Sequence, residues 1–510
     1  MRTALTAIGP LAALVVVVAL EAQAPAVPAA ARVDPYIPKP RIVVMTDIAN
    51  EPDDQMSMVR YLVYANQFDT EGLIATTSTW LKDKVRPDVI HQVIDAYAKV
   101  QPSLERHQAG FPASAALKAL VTAGQPGYGM TAVGDGKLSA GAEQIIAAAL
   151  RDDPRPLWVL GWGGANTLAQ ALWHVRATRP IDLARIVAKL RVYTISDQDD
   201  AGPWLRREFP DLHYIAQPST QNGEDYAQAT WTGISGDLFY RNAPGADFTT
   251  FTDAWLAANV RGRGPLGGLY PHPCCIHEGD TPAFLGLIDN GLASAMSAAY
   301  GGWGGRYTWR HPAGESRAFW TQGGDSYPGR EHSRDTVTGT DGRTYTSDQG
   351  TIWRWRTAFQ HDFAARMHWT VAAPSEANHN PGAVLNNVRG KAPVVLDAVV
   401  GTPVTLDASG SSDPDGHALS YRWFFYPEAG GGTPGAPLVA RGERLLSPAG
   451  AGTEGLPTVR DRVTLSAASG ITTTVTPHIA GLAHVILVVE DNGTPALTSY
   501  RRAILRIAKP

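Results

Sequence analysis

Residues 41–54 read RIVVMTDIANEPDD, an apolar β-branched run followed directly by a loop with four acidic residues. The run at 41–45 has the composition of a short buried strand, and residues 55–65 carry apolar side chains at helical spacing. Asp47 therefore leaves the carboxyl end of a strand, while Asp53 and Asp54 begin a helix. This strand–loop–helix order predicts the start of a layered α/β fold.

The same plan recurs further along the chain. Strand-like runs at 72–77, 156–161 and 190–195 alternate with helical patterns at 89–100 and 167–175. Alternation of this kind predicts a mostly parallel sheet with helices on both faces, in a domain that we place at residues 41–372. Ligands of such sheets bind at the carboxyl ends of the strands.

A different composition follows this domain. Residues 373–393 are rich in Pro and Asn and are expected to form a linker. Residues 394–510 contain short alternating segments separated by turn sequences, and predict a small all-β sandwich of Ig-like type with Trp423 in its core. Exposed tyrosines such as Tyr421 or Tyr426 would allow it to bind glycans; packing against the first domain is the alternative role.

The N-terminus has the features of a secretory signal. A basic Arg2, an apolar stretch and a small-residue cleavage site predict a signal peptide at residues 1–24, followed by a flexible segment at 25–40. No later stretch reaches the roughly 20 apolar residues that a membrane span needs. We therefore expect a secreted protein, periplasmic or extracellular.

Composition excludes several other classes of protein. The 510 residues carry a formal net charge of −4 and no Lys/Arg-rich run, so nucleic acid is not an expected partner. The two cysteines, Cys274 and Cys275, are adjacent, which excludes a disulfide scaffold and a zinc site of the paired-cysteine kind. A vicinal disulfide and two buried thiols are the alternatives for this pair. The sequence does not predict the oligomeric state.

The acidic loop is the strongest functional feature. Asp47, Asp53 and Asp54 converge within one loop, with Glu51 beside them, and would repel one another without a cation. Oxygen ligands are those that calcium prefers, so the loop predicts a Ca²⁺ site. The alternative is that Asp53 merely caps the helix and interacts with its dipole.

Two later segments occupy comparable positions. Residues 161–167, GWGGANT, follow a predicted strand, and their small side chains allow a backbone carbonyl to approach a ligand. Residues 278–284, EGDTPAF, precede an apolar helical stretch, so that Asp280 is either a helix cap or a further metal ligand.

These motifs, in this order, resemble the nucleoside hydrolase plan of an Asp-Pro-Gly-x-Asp-Asp loop, a Gly-Pro-Leu-Thr-Asn turn and a late His-Asp-Pro. The chain more closely resembles a bacterial nucleoside-hydrolase-like family often labelled cellulose-binding. The motifs of that resemblance are TDIANEPDD at 46–54, SDQDD at 196–200, EGDTP at 278–282 and GGWGGRY at 301–307.

The resemblance to nucleoside hydrolases implies roles for individual residues. It implies that Asp47 binds calcium and acts as general base on the attacking water, and that Asp54 is a bidentate calcium ligand. It further implies that Asp53 binds a ribose hydroxyl, that the backbone carbonyl at Asn166 completes the calcium shell, and that Asp280 is the last carboxylate ligand.

Three departures from nucleoside hydrolases are visible. The acidic loop is two residues longer, which would tilt Asp47 relative to Asp53 and Asp54. Gly279 replaces the histidine before the late Asp, and Trp80 stands where nucleoside hydrolases use Asn on the substrate. These changes favour retention of the metal over retention of nucleoside specificity.

Other residues are candidates for contact with the substrate. Asp199 and Asp200 follow a predicted strand and are expected at the same edge of the sheet. His277 and His272, with the same two Asp residues, are candidates for the acid that protonates the leaving group. Aromatic faces stack on sugars and bases, and the tryptophans placed near glycines or strand ends are Trp80, Trp162, Trp204, Trp231 and Trp303. Of these, Trp303 in a Gly-rich loop is the one most expected to be exposed.

Together these patterns predict a secreted, calcium-dependent hydrolase of N- or O-glycosidic bonds, whose attacking water is activated by Asp47. Its substrate would be a small riboside or a carbohydrate. A non-catalytic protein that binds a cellulose-like polysaccharide is the alternative, and a cell-surface scaffold with a structural calcium is the third hypothesis.

Overall fold

A computed structural model describes residues 27–217, 229–234, 245–273, 276–312, 314–322, 333–430 and 459–510. The predicted signal peptide and the Cys274–Cys275 pair lie outside these residues. In the described part of the chain, no helix is both long and apolar enough to cross a bilayer.

The first domain is built on a mostly parallel sheet, as predicted, and the sheet has eight strands. Its strands run in the order β3-β2-β1-β4-β5-β6-β8-β7, and every neighbouring pair is parallel except β7 with β8. The inner strand β1 is buried along its whole length, which explains its continuous apolar run. The strands are β1 (Arg41–Thr46), β2 (Asp69–Ala75), β3 (Val121–Ala123), β4 (Leu157–Gly161), β5 (Leu190–Ser196), β6 (His213–Gln217), β7 (Thr308–Arg310) and β8 (Phe319–Thr321). A separate hairpin joins β9 (Asp335–Thr338) and β10 (Thr344–Ser347).

Helices cover both faces of this sheet. Two separate apolar cores contain side chains from alternate positions of the same strand: Val44 of β1 lies in one and Val43 in the other. The helices in chain order are α1 (Pro52–Val63), α2 (Pro87–Ala98), α3 (Gln101–His107), α4 (Ser114–Lys118), α5 (Ala140–Leu150), α6 (Asn166–Thr178), α7 (Pro180–Lys189), α8 (Ala201–Glu208), α9 (Asp253–Leu256), α10 (Gly264–Gly267), α11 (Pro282–Leu285), α12 (Gly350–Trp353) and α13 (Arg356–Trp369).

The second domain is the predicted β-sandwich. One sheet has the order β11-β17-β16-β13 and the other β12-β15-β14, with every pair antiparallel except β11 with β17. Trp423 is 2% exposed in the core between the sheets, as predicted. The strands are β11 (Val394–Val399), β12 (Val404–Asp407), β13 (Leu419–Phe425), β14 (Val463–Leu465), β15 (Thr472–Pro477), β16 (Gly481–Asp491) and β17 (Thr498–Ala508).

The two domains share a buried aromatic interface. Tyr500 of β17 packs edge-on against Trp303 and Trp355 of the first domain. Tyr426 is fully buried there and donates a hydrogen bond to Asp335 Oδ2, so the expectation that it is exposed for glycan binding is wrong. Tyr421 is half-buried.

The segments expected to be flexible or to act as a linker are held by specific contacts where they are described. Asp34 forms an ion pair with Arg191 at 2.6 Å, and Tyr36 donates a hydrogen bond to Asp289. In the linker, Asn378 is buried and donates to Asp491 of the sandwich at 2.9 Å. Polar side chains therefore connect the described part of residues 25–40 to the first domain.

Candidate metal and active site

The acidic loop is shaped by the end of β1 and the start of α1. Thr46, the last residue of β1, donates a hydrogen bond from its hydroxyl to Asp54 Oδ1 and accepts one from the backbone N–H of Ile48. Pro52 occupies the first turn of α1, where its fixed φ favours a helix start. As a result Asp53 and Asp54 both lie in the first helical turn and face the strand ends.

Three carboxylates meet at this edge of the sheet. Oxygens of Asp53, Asp54 and Asp280 lie within 4.8 Å of one another, and each residue is at most 4% exposed. Asp53 Oδ1 and Asp280 Oδ2 are buried without a hydrogen-bond partner among the residues that the structure describes. A buried, oxygen-only set with free lone pairs fits a hard cation such as calcium.

Burial and the nearby carboxylates raise the pKa values of all three clustered carboxyl groups. Burial, reinforced by Glu51 and Asp47, raises the pKa of Asp53 to about 8. Burial and the neighbouring carboxylates raise the pKa values of Asp54 and Asp280 well above their usual range. Charged carboxylates this close are unfavourable in a dry environment, and a bound cation would offset both the desolvation and the repulsion.

Asp47 lies next to this cluster but is held by a different contact. Its Oδ2 accepts a hydrogen bond of 2.5 Å from the Ser78 hydroxyl, and burial raises its pKa to about 7. A Cβ at Gly163 would lie 2.7 Å from Asp47 Oδ1, so the glycine of the GWGGANT turn makes room for the carboxylate. Asp53, rather than Asp47, completes the group of three within 4.8 Å. The role of Asp47 as ligand and base stays a prediction.

Asn166 and Asp199 hold the strand ends together. The Asn166 side-chain amide donates to the Gly127 carbonyl at 2.7 Å, and its backbone N–H donates to Asp199 Oδ2 at 3.0 Å. Asp199 Oδ1 accepts from the Ala201 N–H, and burial raises the pKa of Asp199 to about 7. The backbone carbonyl of Asn166 as a calcium ligand stays a prediction.

The expectation that Asp199 and Asp200 line the substrate pocket is not met in the described structure. Asp199 is turned toward backbone amides of its own turn and of α6. Asp200 is exposed and accepts a hydrogen bond from the Met130 N–H at 2.7 Å. Their neighbour Gln198 lines the pocket instead.

The pocket opens beside the carboxylate cluster. Its described lining includes Glu51, Asp53 and Asp280 together with the rings of Trp80 and Trp231. Trp80 is 49% exposed at the rim, whereas Trp231 is buried at 3%. The described pocket lining therefore combines carboxyl groups with two indole side chains.

The packing around Gly279 explains why this position departs from the nucleoside hydrolase pattern. A Cβ at this position would lie 2.8 Å from Asp53 Oδ2 and 2.9 Å from the Trp231 ring. Only a residue without a side chain fits between Asp53 and Trp231, so the histidine of that pattern is excluded by the packing. The replacement was visible in the sequence, but its cause depends on Trp231, which is distant along the chain.

Two other expectations are corrected by the packing. Trp303 is 1% exposed and packs edge-on against Phe359 and Tyr500, so it lies in the domain interface and not at the site. His277 is buried beside the Tyr270 hydroxyl, and burial lowers its pKa to about 4. His272 is exposed and contacts Asp253. The described pocket lining contains Glu51 and neither of these two histidines, which were candidates for the acid that protonates the leaving group.

Comparison with family models gives two matches. The model described as "Cellulose-binding Sde182, nucleoside hydrolase-like domain" matches residues 41–307. The model described as "Cellulose-binding protein Sde0182, C-terminal domain" matches residues 403–507. The curated proteins searched contain no match to the chain.

Comparison with solved structures gives a relative over nearly the whole chain. A nucleoside hydrolase-related protein from Saccharophagus degradans, described as associated with carbohydrate metabolism, is 36% identical. The match covers 92% of this chain and 100% of that one, with a TM-score of 0.71. The type III effector XopQ, solved with adenosine diphosphate ribose, is 11% identical over 66% of this chain and 96% of its own, with a TM-score of 0.30.

Proposed function

The chain belongs to the cellulose-binding Sde182 family with a nucleoside hydrolase-like domain, and on this premise we propose a secreted, calcium-dependent hydrolase of N- or O-glycosyl bonds. One observation carries the proposal: Asp53, Asp54 and Asp280 form a buried cluster with unpartnered oxygens beside a pocket with two indole rings. Carboxylates with free lone pairs suit calcium, and indole faces suit a sugar or base.

Asp53, Asp54 and Asp280 would hold the calcium, with the backbone carbonyl at Asn166 as a further ligand. When bound, calcium would supply a positive charge that aligns neighbouring sugar hydroxyls with the attacking water. Asp47, next to the cluster, would accept a proton from that water as general base. The hydrogen bond from Ser78 orients the Asp47 carboxylate through Oδ2, and Oδ1, on the Gly163 side, would accept the proton.

The leaving group needs a proton donor or a stacking surface. Glu51 is the carboxyl group of the described pocket lining that lies outside the three-residue cluster. It is half-buried, and burial raises its pKa, as a general acid requires. Glu51 is therefore the proposed acid in place of His277 and His272, and Trp80 the proposed stacking surface for the leaving group.

The substrate class follows from the lining and from the family. A small riboside or a carbohydrate presents the vicinal hydroxyls that calcium binds, and a ring or base that stacks on Trp80. The relative from Saccharophagus degradans is associated with carbohydrate metabolism, which favours a carbohydrate. Secretion would bring the protein to such substrates.

Calorimetry with calcium tests the metal site first. The mature protein should bind calcium with micromolar or tighter affinity, and Asp54→Ala should abolish binding, while Asp200→Ala, an exposed control at the same edge, should not. A glycoside and nucleoside screen in calcium then tests turnover, which Asp47→Ala should abolish. Absence of calcium binding in the unaltered protein would rule out the metal-dependent mechanism.

A carbohydrate-binding protein without catalysis is the second candidate. The family description as cellulose-binding favours it. Asp47→Ala separates the two functions, because a binding protein would retain affinity for its sugar and yield no product before or after the substitution. A sugar that binds the unaltered protein in calcium but is never cleaved would establish this second function.

A further inference from the structure

A buried ion pair joins the two chain segments that carry the clustered carboxylates. Arg60 lies in α1, two turns after Asp53 and on the same helical face. Its Nε is 2.6 Å from Glu278 Oε2, and its Nη2 donates to Glu278 Oε1 at 2.9 Å. Both side chains are fully buried. Glu278 stands two residues before Asp280 on a segment more than 200 residues away in sequence.

The turn that presents Asp280 is built around Glu278. Glu278 has a positive φ of 52°, a conformation that costs free energy for a residue with a side chain. Its carboxylate accepts hydrogen bonds from the Tyr270 and Thr281 hydroxyls, and its backbone carbonyl accepts one from the Thr281 N–H at 3.1 Å. Asp280, between these two anchored residues, is thereby fixed in direction.

Arg60 is fixed just as firmly. Its Nη1 donates to the Phe359 carbonyl at 3.2 Å, its Nη2 donates to Gln360 Oε1, and its guanidinium lies 3.9 Å from the centroid of the Phe363 ring. All three partners belong to α13, so the cation is held by one helix while it binds the Asp280 turn. A planar guanidinium with several donors is suited to such a junction.

We infer that Arg60 and Glu278 are positioning residues for the metal site, which set the distance between Asp280 and the Asp53–Asp54 pair. The inference rests on the proposed calcium site. Because α1 carries Asp53, Asp54 and Arg60, a direct bond from Arg60 to Glu278 transmits the position of the helix to Asp280. Calcium affinity depends on this spacing, because the number of ligands and the rigidity of the site determine how tightly calcium binds.

A second buried ion pair provides a matched control. Arg41 and Glu71 are also buried, with Nε 2.5 Å from Oε1, at the beginnings of β1 and β2. They lie at the opposite end of the parallel strands from the acidic loop. Glu71→Gln should therefore lower the stability of the protein as Glu278→Gln does, but it should leave the geometry of the metal site unchanged.

The test measures calcium affinity by calorimetry and the melting temperature in chelator for the full mature protein. Glu278→Gln should weaken calcium binding at least tenfold, whereas Glu71→Gln should change it less than twofold. The double variant Arg60→Met/Glu278→Met leaves no unpaired buried charge and should fold if the single variant does not. The double variant should also bind calcium at least tenfold more weakly than the unaltered protein.

The outcomes separate this inference from the proposed function. Unchanged calcium affinity in a folded Glu278 variant, with calcium bound by the unaltered protein, would overturn the positioning role alone. Equal loss of affinity in the Glu71 and Glu278 variants would also overturn it, because the effect would then be general destabilisation. No calcium binding by the unaltered protein would overturn both proposals.

Discussion

Ser78 Oγ lies 2.5 Å from Asp47 Oδ2, so the loop after β2 fixes the carboxylate that follows β1. The same hydroxyl accepts hydrogen bonds from the backbone N–H groups of Trp80 and Leu81 at 3.0 Å. One side chain therefore connects the proposed general base with the loop that places the rim tryptophan.

Ser78→Ala should lower turnover more than it lowers metal binding. Loss of a hydrogen bond to a charged group costs about 1.5–3 kcal/mol, so kcat should fall at least about tenfold. Calcium affinity should change less than threefold, because Asp53, Asp54 and Asp280 are not bonded to Ser78. Steady-state kinetics on a substrate found in the screen, with calorimetry in parallel, measure both effects. An unchanged kcat would exclude Ser78 as the group that orients Asp47.

Asp280→Asn should have opposite effects with and without calcium. In chelator, neutralising one of three repelling buried carboxylates should leave the melting temperature equal to or above that of the unaltered protein. Calcium at 100 times its Kd should stabilise the unaltered protein by about 2.7 kcal/mol and the variant hardly at all. Scanning fluorimetry in EDTA and in calcium measures the shifts. Asp200→Asn is the control and should keep the full calcium response; a full response in Asp280→Asn would contradict the ligand set.

The strand positions of the fold were largely predictable, since apolar runs and turn residues are local signals. The segments 41–45 and 190–195 lie in strands β1 and β5 as expected. The approach of Asp280 to Asp53 and Asp54 was predictable only from the resemblance to nucleoside hydrolases, because Asp280 precedes α11 and lies at the end of no described strand. The direction of Asp199 was not, because backbone amides of α6 and α8 bind it after folding.

Trp303 shows where local sequence reasoning fails. Its glycine neighbours indicate a loop, and a loop residue is usually exposed. The side chain is buried because Tyr500, almost 200 residues later, brings the second domain over it. No local pattern around residues 301–305 records this long-range contact. Glu51 was noted only as a neighbour of the loop's aspartates, and Ser78 was not singled out, since their importance depends on neighbours from other segments.

Trp80→Ala should weaken ligand binding without destabilising the fold. The side chain is 49% exposed at the pocket rim, so truncation should change the free energy of unfolding by less than about 0.5 kcal/mol. Loss of a stacking face should raise KM or Kd for a sugar or riboside about three- to tenfold. Trp303→Ala is the contrasting variant, with an expected loss of about 3–5 kcal/mol in stability. An unchanged KM in Trp80→Ala would remove Trp80 from the proposed substrate contacts.

His484 should make the protein less stable as the pH falls below neutrality. Its Nδ1 lies 2.9 Å from Arg502 Nη1 in the domain interface, and burial, with Arg502 and Arg462 nearby, lowers its pKa well below the usual value. The guanidinium is a donor, so His484 must accept and stays neutral in the folded protein. The unfolded chain takes up a proton near pH 6.5 while the folded protein does not, and stability is therefore lost as the pH falls through that range.

A glutamine in place of His484 isolates the contribution of this histidine to the pH dependence of stability. His484→Gln keeps an acceptor for Arg502 but does not titrate, whereas the other histidines contribute equally to both proteins. Between pH 7 and pH 5 the unaltered protein should lose about 2 kcal/mol more unfolding free energy than the variant, as measured by urea denaturation at each pH. Calcium affinity at pH 7 should be equal in the two proteins, since His484 lies in the second domain. Parallel stability curves would show that His484 is protonated in the folded state or is not buried in the interface.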